Sequence, residues 1–152
     1  MEFINFLDKT EIEIIKIVEK VGYSIEENTP LCLNNAKFKG FLKNKEKTII
    51  ICTENAKKRS GYTLLMKNNI DTFERTARLI KKSIRHEAAH VVQECNNGNL
   101  IKINKKLSMH PSKLEALKGS MNISLVEEKE KQAYILEDKP KLLKNELIKY
   151  CL

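Results

Sequence analysis

The 152-residue chain is expected to fold as an α+β domain, with a short sheet or hairpin packed against helices that mostly follow it. Three observations lead there. Two β-prone runs, Phe38 to Leu42 and Thr48 to Cys52, stand close together early in the chain. Apolar residues recur at helical spacing from Phe73 to Cys95. Only 5 Gly and 3 Pro interrupt a chain that is 41% hydrophobic and 32% charged. That mix excludes a disordered tail, a collagen-like repeat and a membrane bundle. The length fits one domain, residues 1–152, large enough to bury a core without staples.

Each element has its own signal. Asp8-Lys9-Thr10-Glu11 has the spacing of a capping box, and Ile12, Ile15 and Val18, with Ile14 and Val21 beside them, continue it as a helix that Gly22 stops. Asn28-Thr29-Pro30 reads as a loop. Phe38 to Leu42 and Thr48 to Cys52, separated by Lys43-Asn44-Lys45-Glu46-Lys47, read as a hairpin. Glu54 to Asn69 reads mostly as loop, with room for a short strand at Tyr62 to Met66. A long helix follows, capped by Asp71 and ended by Asn96-Asn97-Gly98. Its stripe is Phe73, Ala77, Ile80, Ile84, Ala88, Val91 and Cys95, at about 100° per residue. Pro111 to Leu117 suits a short helix closed by Gly119. Asn122 or Ser124 starts another that runs to Asp138, with Pro140 marking its end. Leu142 to Leu152 is the last.

Lys and Arg number 28 against 20 Asp and Glu, a net charge of +8. Only Arg59, Arg75, Arg78 and Arg85 are arginines, and the lysines are spread along the chain. Base-edge readers favour Arg, so the charge reads as a solvated surface rather than a nucleic-acid interface. No apolar run approaches the roughly 20 residues of a membrane span, and no basic leader precedes an apolar core. A cytoplasmic location follows as the expectation. Cys32, Cys52, Cys95 and Cys151 form no CxxC, so free buried thiols are expected, with a Cys52–Cys95 contact as the alternative.

The chemistry lies in His86-Glu87-Ala88-Ala89-His90, an HExxH inside the long helix. Side chains at i and i+4 share one face, so both imidazoles can hold one tetrahedral ion. Glu87, between them, can take a proton from a metal-bound water. Both histidines lie opposite the apolar stripe, with Leu79, Ser83, Gln93 and Asn97. A zinc site of this kind needs a third protein ligand and an open fourth position. Gln93 and Asn96 stand where HExxHxxGxxH would need Gly and His, which excludes that pattern. Glu130 is the leading choice. It interrupts an otherwise apolar helical face of Ile123, Val126, Ala133 and Tyr134, where a bare carboxylate would be costly. Ala133 is small enough to let the two helices approach. Glu127, one turn earlier, and His110 are the rivals. Cys95 faces away from the histidines and is rejected as a ligand.

Arg85 to Gln93 resembles the active-site helix of the zincin metallopeptidases. Glu130-Lys131-Gln132-Ala133-Tyr134 is similar to the downstream E-x-x-A-x motif of gluzincins, where the first Glu is the third zinc ligand. Many members carry Asp at the position of Tyr134. A narrower similarity, in Ile51 to Asn55 and His90 to Cys95, is to the mitochondrial metallopeptidases that process an ATP-synthase subunit. The similarities cover roughly residues 48–137 and imply a minimal zincin fold. They also imply Zn²⁺ held by His86, His90 and Glu130, with Glu87 as general base in peptide hydrolysis. Tyr134 or His110 would help an oxyanion. Zincins bind substrate backbone along an edge strand, a role for Thr48 to Cys52 or for the strand near Tyr62.

The function expected is a small zinc endopeptidase acting on a polypeptide substrate. The alternatives are a zincin-fold metal-binding or interaction protein without activity, and a basic nucleic-acid-associated protein in which HExxH is incidental.

Overall fold

A computed structural model describes residues 1–62, 69–103 and 124–152, and the expected α+β architecture is present in them. A 3-10 turn, Glu2–Phe6, precedes α1 (Lys9–Lys20), β1 (Ser24–Glu27), α2 (Pro30–Asn34), β2 (Gly40–Lys43) and β3 (Thr48–Ile51). Then come α3 (Thr53–Ser60), α4 (Ile70–Cys95), α5 (Ser124–Leu136) and α6 (Pro140–Cys151).

The expected hairpin is β2 and β3, antiparallel, with Gly40 opposite Ile51 and Lys43 opposite Thr48. A third strand, β1, joins the far side of β3 in parallel, giving the order β1-β3-β2. It was invisible because Ser24-Ile25-Glu26-Glu27 buries only Ile25 and shows no apolar alternation. β3 is therefore central, and all four of its residues are buried. A strand covered on both faces reads as an unbroken apolar run. Ile49 and Ile51 enter the main core with α4, while Ile50 meets Cys32 and Cys52 on the other face. The expectation that Thr48 to Cys52 offers an edge to substrate fails here, because β3 is paired on both sides. β2 is the edge strand that borders α4.

Gly40 sets how closely that edge lies. A Cβ there would stand 3.0 Å from the Ile50 carbonyl oxygen and 3.3 Å from Ser83 Cβ on α4. Without a side chain, the start of β2 rests against α4 one turn before His86.

α4 packs against α1, α3, α5, α6, β2 and β3. Its expected stripe is buried at Ala77, Ile80, Ile84, Ala88 and Val91, but so are Thr76, Ser83, Ala89, Val92 and Gln93. No residue from Leu79 to Gln93 is exposed, so this half of the helix is covered beyond one core face. Its cap is Asn69 rather than Asp71: Asn69 Oδ1 accepts from the Asp71 and Thr72 amides at 2.9 and 3.3 Å. The residues expected to form a capping box on α1 act elsewhere. Asp8 makes no side-chain cap and takes Lys81 Nζ at 2.7 Å, and Glu11 pairs with Arg85 at 2.9 Å in a buried contact.

Other expectations change. Residues 53–60, read mostly as loop, form α3, closed by Gly61 in the left-handed region (φ 73°). Its polar composition hid it from a search for apolar periodicity. Pro140 follows the end of α5 at Leu136, as expected, and also stands in the first turn of α6. The strand proposed near Tyr62, apart from Tyr62 itself, lies outside the described residues, as do the helix at 111–117, Gly119 and Asn122. The free-thiol reading is overturned outright. Cys32 is bonded to Cys52 and Cys95 to Cys151, with Cα–Cα separations of 5.5 and 5.2 Å. Cys52 and Cys95 are not partners. The partners lie 20 and 56 residues apart, and no sequence spacing distinguished them.

Candidate metal centre

His86 and His90 stand one turn apart on α4, their ring centroids 5.0 Å apart. α5 packs on α4 here, where Ala89 on the histidine face and Ala133 are both fully buried. These small residues let the helices close, and that brings Glu130 onto the histidines. Glu130 Oε2 lies 3.0 Å from His86 Nε2, and Oε1 lies 2.9 Å from His90 Nε2. One donor atom from each of the three residues falls within 4.8 Å of the others. Among the described residues, Glu127 forms no hydrogen bond or ion pair with either histidine. His110 lies outside them.

The outer nitrogens carry information that the sequence reading missed. His86 Nδ1 is 3.3 Å from Glu137 Oε1, and His90 Nδ1 is 2.8 Å from Gln93 Oε1. Gln93 is itself oriented, since its Nε2 donates to the Lys129 carbonyl and to Gln132 Oε1. Its oxygen must therefore accept, and His90 Nδ1 must donate. Gln132 in turn grips both the amide and the carbonyl of Ile101. Both imidazoles thus spend their Nδ1 protons outward. In the neutral rings each Nε2 then presents a lone pair to a carboxylate, acceptor against acceptor. A proton on each nitrogen, or a single cation between all three groups, resolves that opposition. Outward-bonded Nδ1 atoms with converging Nε2 atoms are what metal-ligating histidines show.

Protonation follows the same logic. Burial pulls His86 down, but hydrogen bonds to Glu130 and Glu137, with nearby carboxylate charge, prevail and raise it to about 10. Burial pushes Glu130 up, yet the hydrogen bonds and charges of the two histidines hold it below the usual carboxylate range. Glu87 is nearly enclosed. Burial raises its pKa, the two histidines oppose this, and Glu130 and Glu137 add to it. Tyr134 sets its ring edge against His86, with centroids 4.7 Å apart. Burial and the charges of Glu130, Glu137 and Glu87 raise its phenol.

Glu137 had a signal in the sequence. It follows Glu130 by seven residues, two helical turns on one face. Gln93 was placed on the histidine face, but its bond to His90 could not be read from spacing.

Two cavities meet at the centre. One, of about 510 Å³, lies along β2 between Phe41, Leu42 and Val126 and opens on His90 and Glu130. The other, of about 260 Å³, opens on His86 and Glu87 from the Ser83 side. Glu87 borders both.

A family model described as a domain of unknown function (DUF8637) matches residues 3–152. The chain belongs to this family. No curated protein and no solved structure matches the chain. Among the described residues, no helix is long and apolar enough to cross a membrane.

Proposed function

We propose that this chain is a small zinc-dependent endopeptidase. The observation that carries the reading is the convergence of two oriented imidazole nitrogens and one carboxylate on a point beside a buried glutamate. Two His and one Glu form a donor set suited to zinc, and three protein ligands leave a fourth position open for chemistry. Bound there, zinc supplies a Lewis acid that polarises a carbonyl and brings the pKa of a coordinated water toward about 7.

The chain's own groups do the rest. Glu87 accepts a proton from the attacking water and returns it to the leaving amine, and a raised pKa suits both tasks. Tyr134 keeps its phenolic proton and donates it toward the developing oxyanion. The outer edge of β2 pairs with an extended peptide, which then runs past Glu87 between the two cavities.

Metal analysis and one substitution test this. The purified protein should carry about one zinc per chain, lost with His86→Ala or His90→Ala. Glu130→Ala should weaken metal binding and Glu127→Ala should not. Cleavage of a peptide library by wild type and not by Glu87→Gln is expected. Cleavage that survives Glu87→Gln removes the mechanism. Zinc without cleavage favours a metal-binding protein with no hydrolytic role.

A further inference from the structure

The smaller cavity has walls of an unusual kind for a site beside two carboxylic acids. Lys37 and Lys39 enter it from the segment leading into β2, and Lys82 enters from α4, one turn before His86. We propose that this cavity is a subsite for a carboxylate side chain, so that the substrate is a peptide with Asp or Glu next to the scissile bond. The substrate class rests on the peptidase reading; the carboxylate site itself does not.

Charge balance is the first argument. Lys39 is half-buried, and among the described residues neither it nor Lys37 forms an ion pair. Lys82 reaches only Asp138, at 4.0 Å. Burial disfavours the Lys39 charge, Arg59 and Lys82 add repulsion, and the Glu137 charge opposes them. Of the two acids that line the cavity, Glu137 is bonded to His86 Nδ1 at 3.3 Å. An incoming carboxylate would meet three ammonium groups, one of them already partly desolvated, where a charge-assisted hydrogen bond is strongest.

Rigidity is the second. The segment that carries Lys37 and Lys39 is pinned. Asn55 Nδ2 donates to the carbonyls of Cys32, Asn35 and Phe38 at 3.0, 3.0 and 2.8 Å. The Cys52 amide donates to the Lys39 carbonyl at 2.8 Å, beside the Cys32–Cys52 disulfide. A site whose backbone is already ordered spends less on binding. The apolar walls of the larger cavity, on the far side of Glu87, supply the contrast: acid on one side of the cleaved bond, an apolar residue on the other.

The test uses zinc-loaded full-length protein and a pair of fluorescent nonapeptides that differ only in a central Glu or Gln. Binding is measured with the Glu87→Gln variant, so that no peptide is consumed. The Glu peptide should bind about tenfold tighter at low salt, a preference worth about 1.4 kcal/mol. Lys39→Met should bring the ratio toward one, and Lys39→Arg should preserve it. Lys82→Met should lower it as well and serves if Lys39→Met folds poorly. Equal binding of the two peptides overturns the subsite. A preference that survives both Met variants assigns the carboxylate to the metal and overturns it too. Hydrolysis by wild type is scored separately. A Lys39-dependent preference with no hydrolysis keeps the subsite and sinks the peptidase reading, whereas hydrolysis without the preference does the reverse.

Discussion

Glu137 shows how one side chain can govern a site without touching its centre. Its carboxylate holds His86 Nδ1, so it fixes both the rotation of the ring and which nitrogen points inward. Removing such a partner commonly lowers metal affinity by about 10–100-fold. Glu137→Ala should do so here, with Glu137→Gln recovering part of the loss, as read by competition against a zinc chelator. His86 also carries a pH signature in the metal-free protein. Its pKa stands at about 10 when folded, against an ordinary 6.5. The stabilisation it brings is fully present below pH 6.5 and is lost as pH rises through about 10. Chelator-treated wild type should therefore lose its Tm advantage over His86→Gln across that window. An advantage that stays flat from pH 6.5 to 10 would show that the ring carries no raised pKa.

At the scale of elements, the HExxH helix and its partner were legible because their signals are local. HExxH places two histidines on one helix face, and Glu130 stood out as an acid on an apolar face. The sheet was half legible. β3 is apolar throughout, but β1 is polar and pairs with a strand more than 20 residues on, and no local pattern carries that pairing. The edge strand was misassigned for the same reason, since which strand is central depends on the unseen third. The contact at Gly40 was equally hidden, being set by α4. A side chain there must push against the Ile50 backbone, and overpacking of this kind costs about 1–3 kcal/mol. Gly40→Val should lower Tm accordingly and impair peptide cleavage more than zinc content, because β2 moves and the ligands do not. Equal loss of both would mean that the strand and the metal site are not separable.

For the whole molecule, the disulfides are the feature composition could not foretell. Four cysteines allow three pairings, and only the fold selects one. Cys32–Cys52 closes a span of 20 residues and Cys95–Cys151 one of 56. Constraint of the unfolded chain by loops of these lengths is worth about 3 and 4 kcal/mol respectively. Reduction should therefore lower Tm strongly, and Cys95→Ser with Cys151→Ser should lower it without removing zinc from the folded protein. Disulfides persist in oxidising surroundings, so this contribution is lost in reducing ones.

The Cys95–Cys151 bond has one more consequence. It joins the end of the histidine helix to the helix that follows Glu130, so residues 95–151 form a covalent ring. A single protease cut between Cys95 and α5 would separate the histidines from Glu130 along the backbone and yet leave both pieces attached. Such a nicked protein should run as one band without reductant and as two with it. It should also still hold its metal until the bond is reduced.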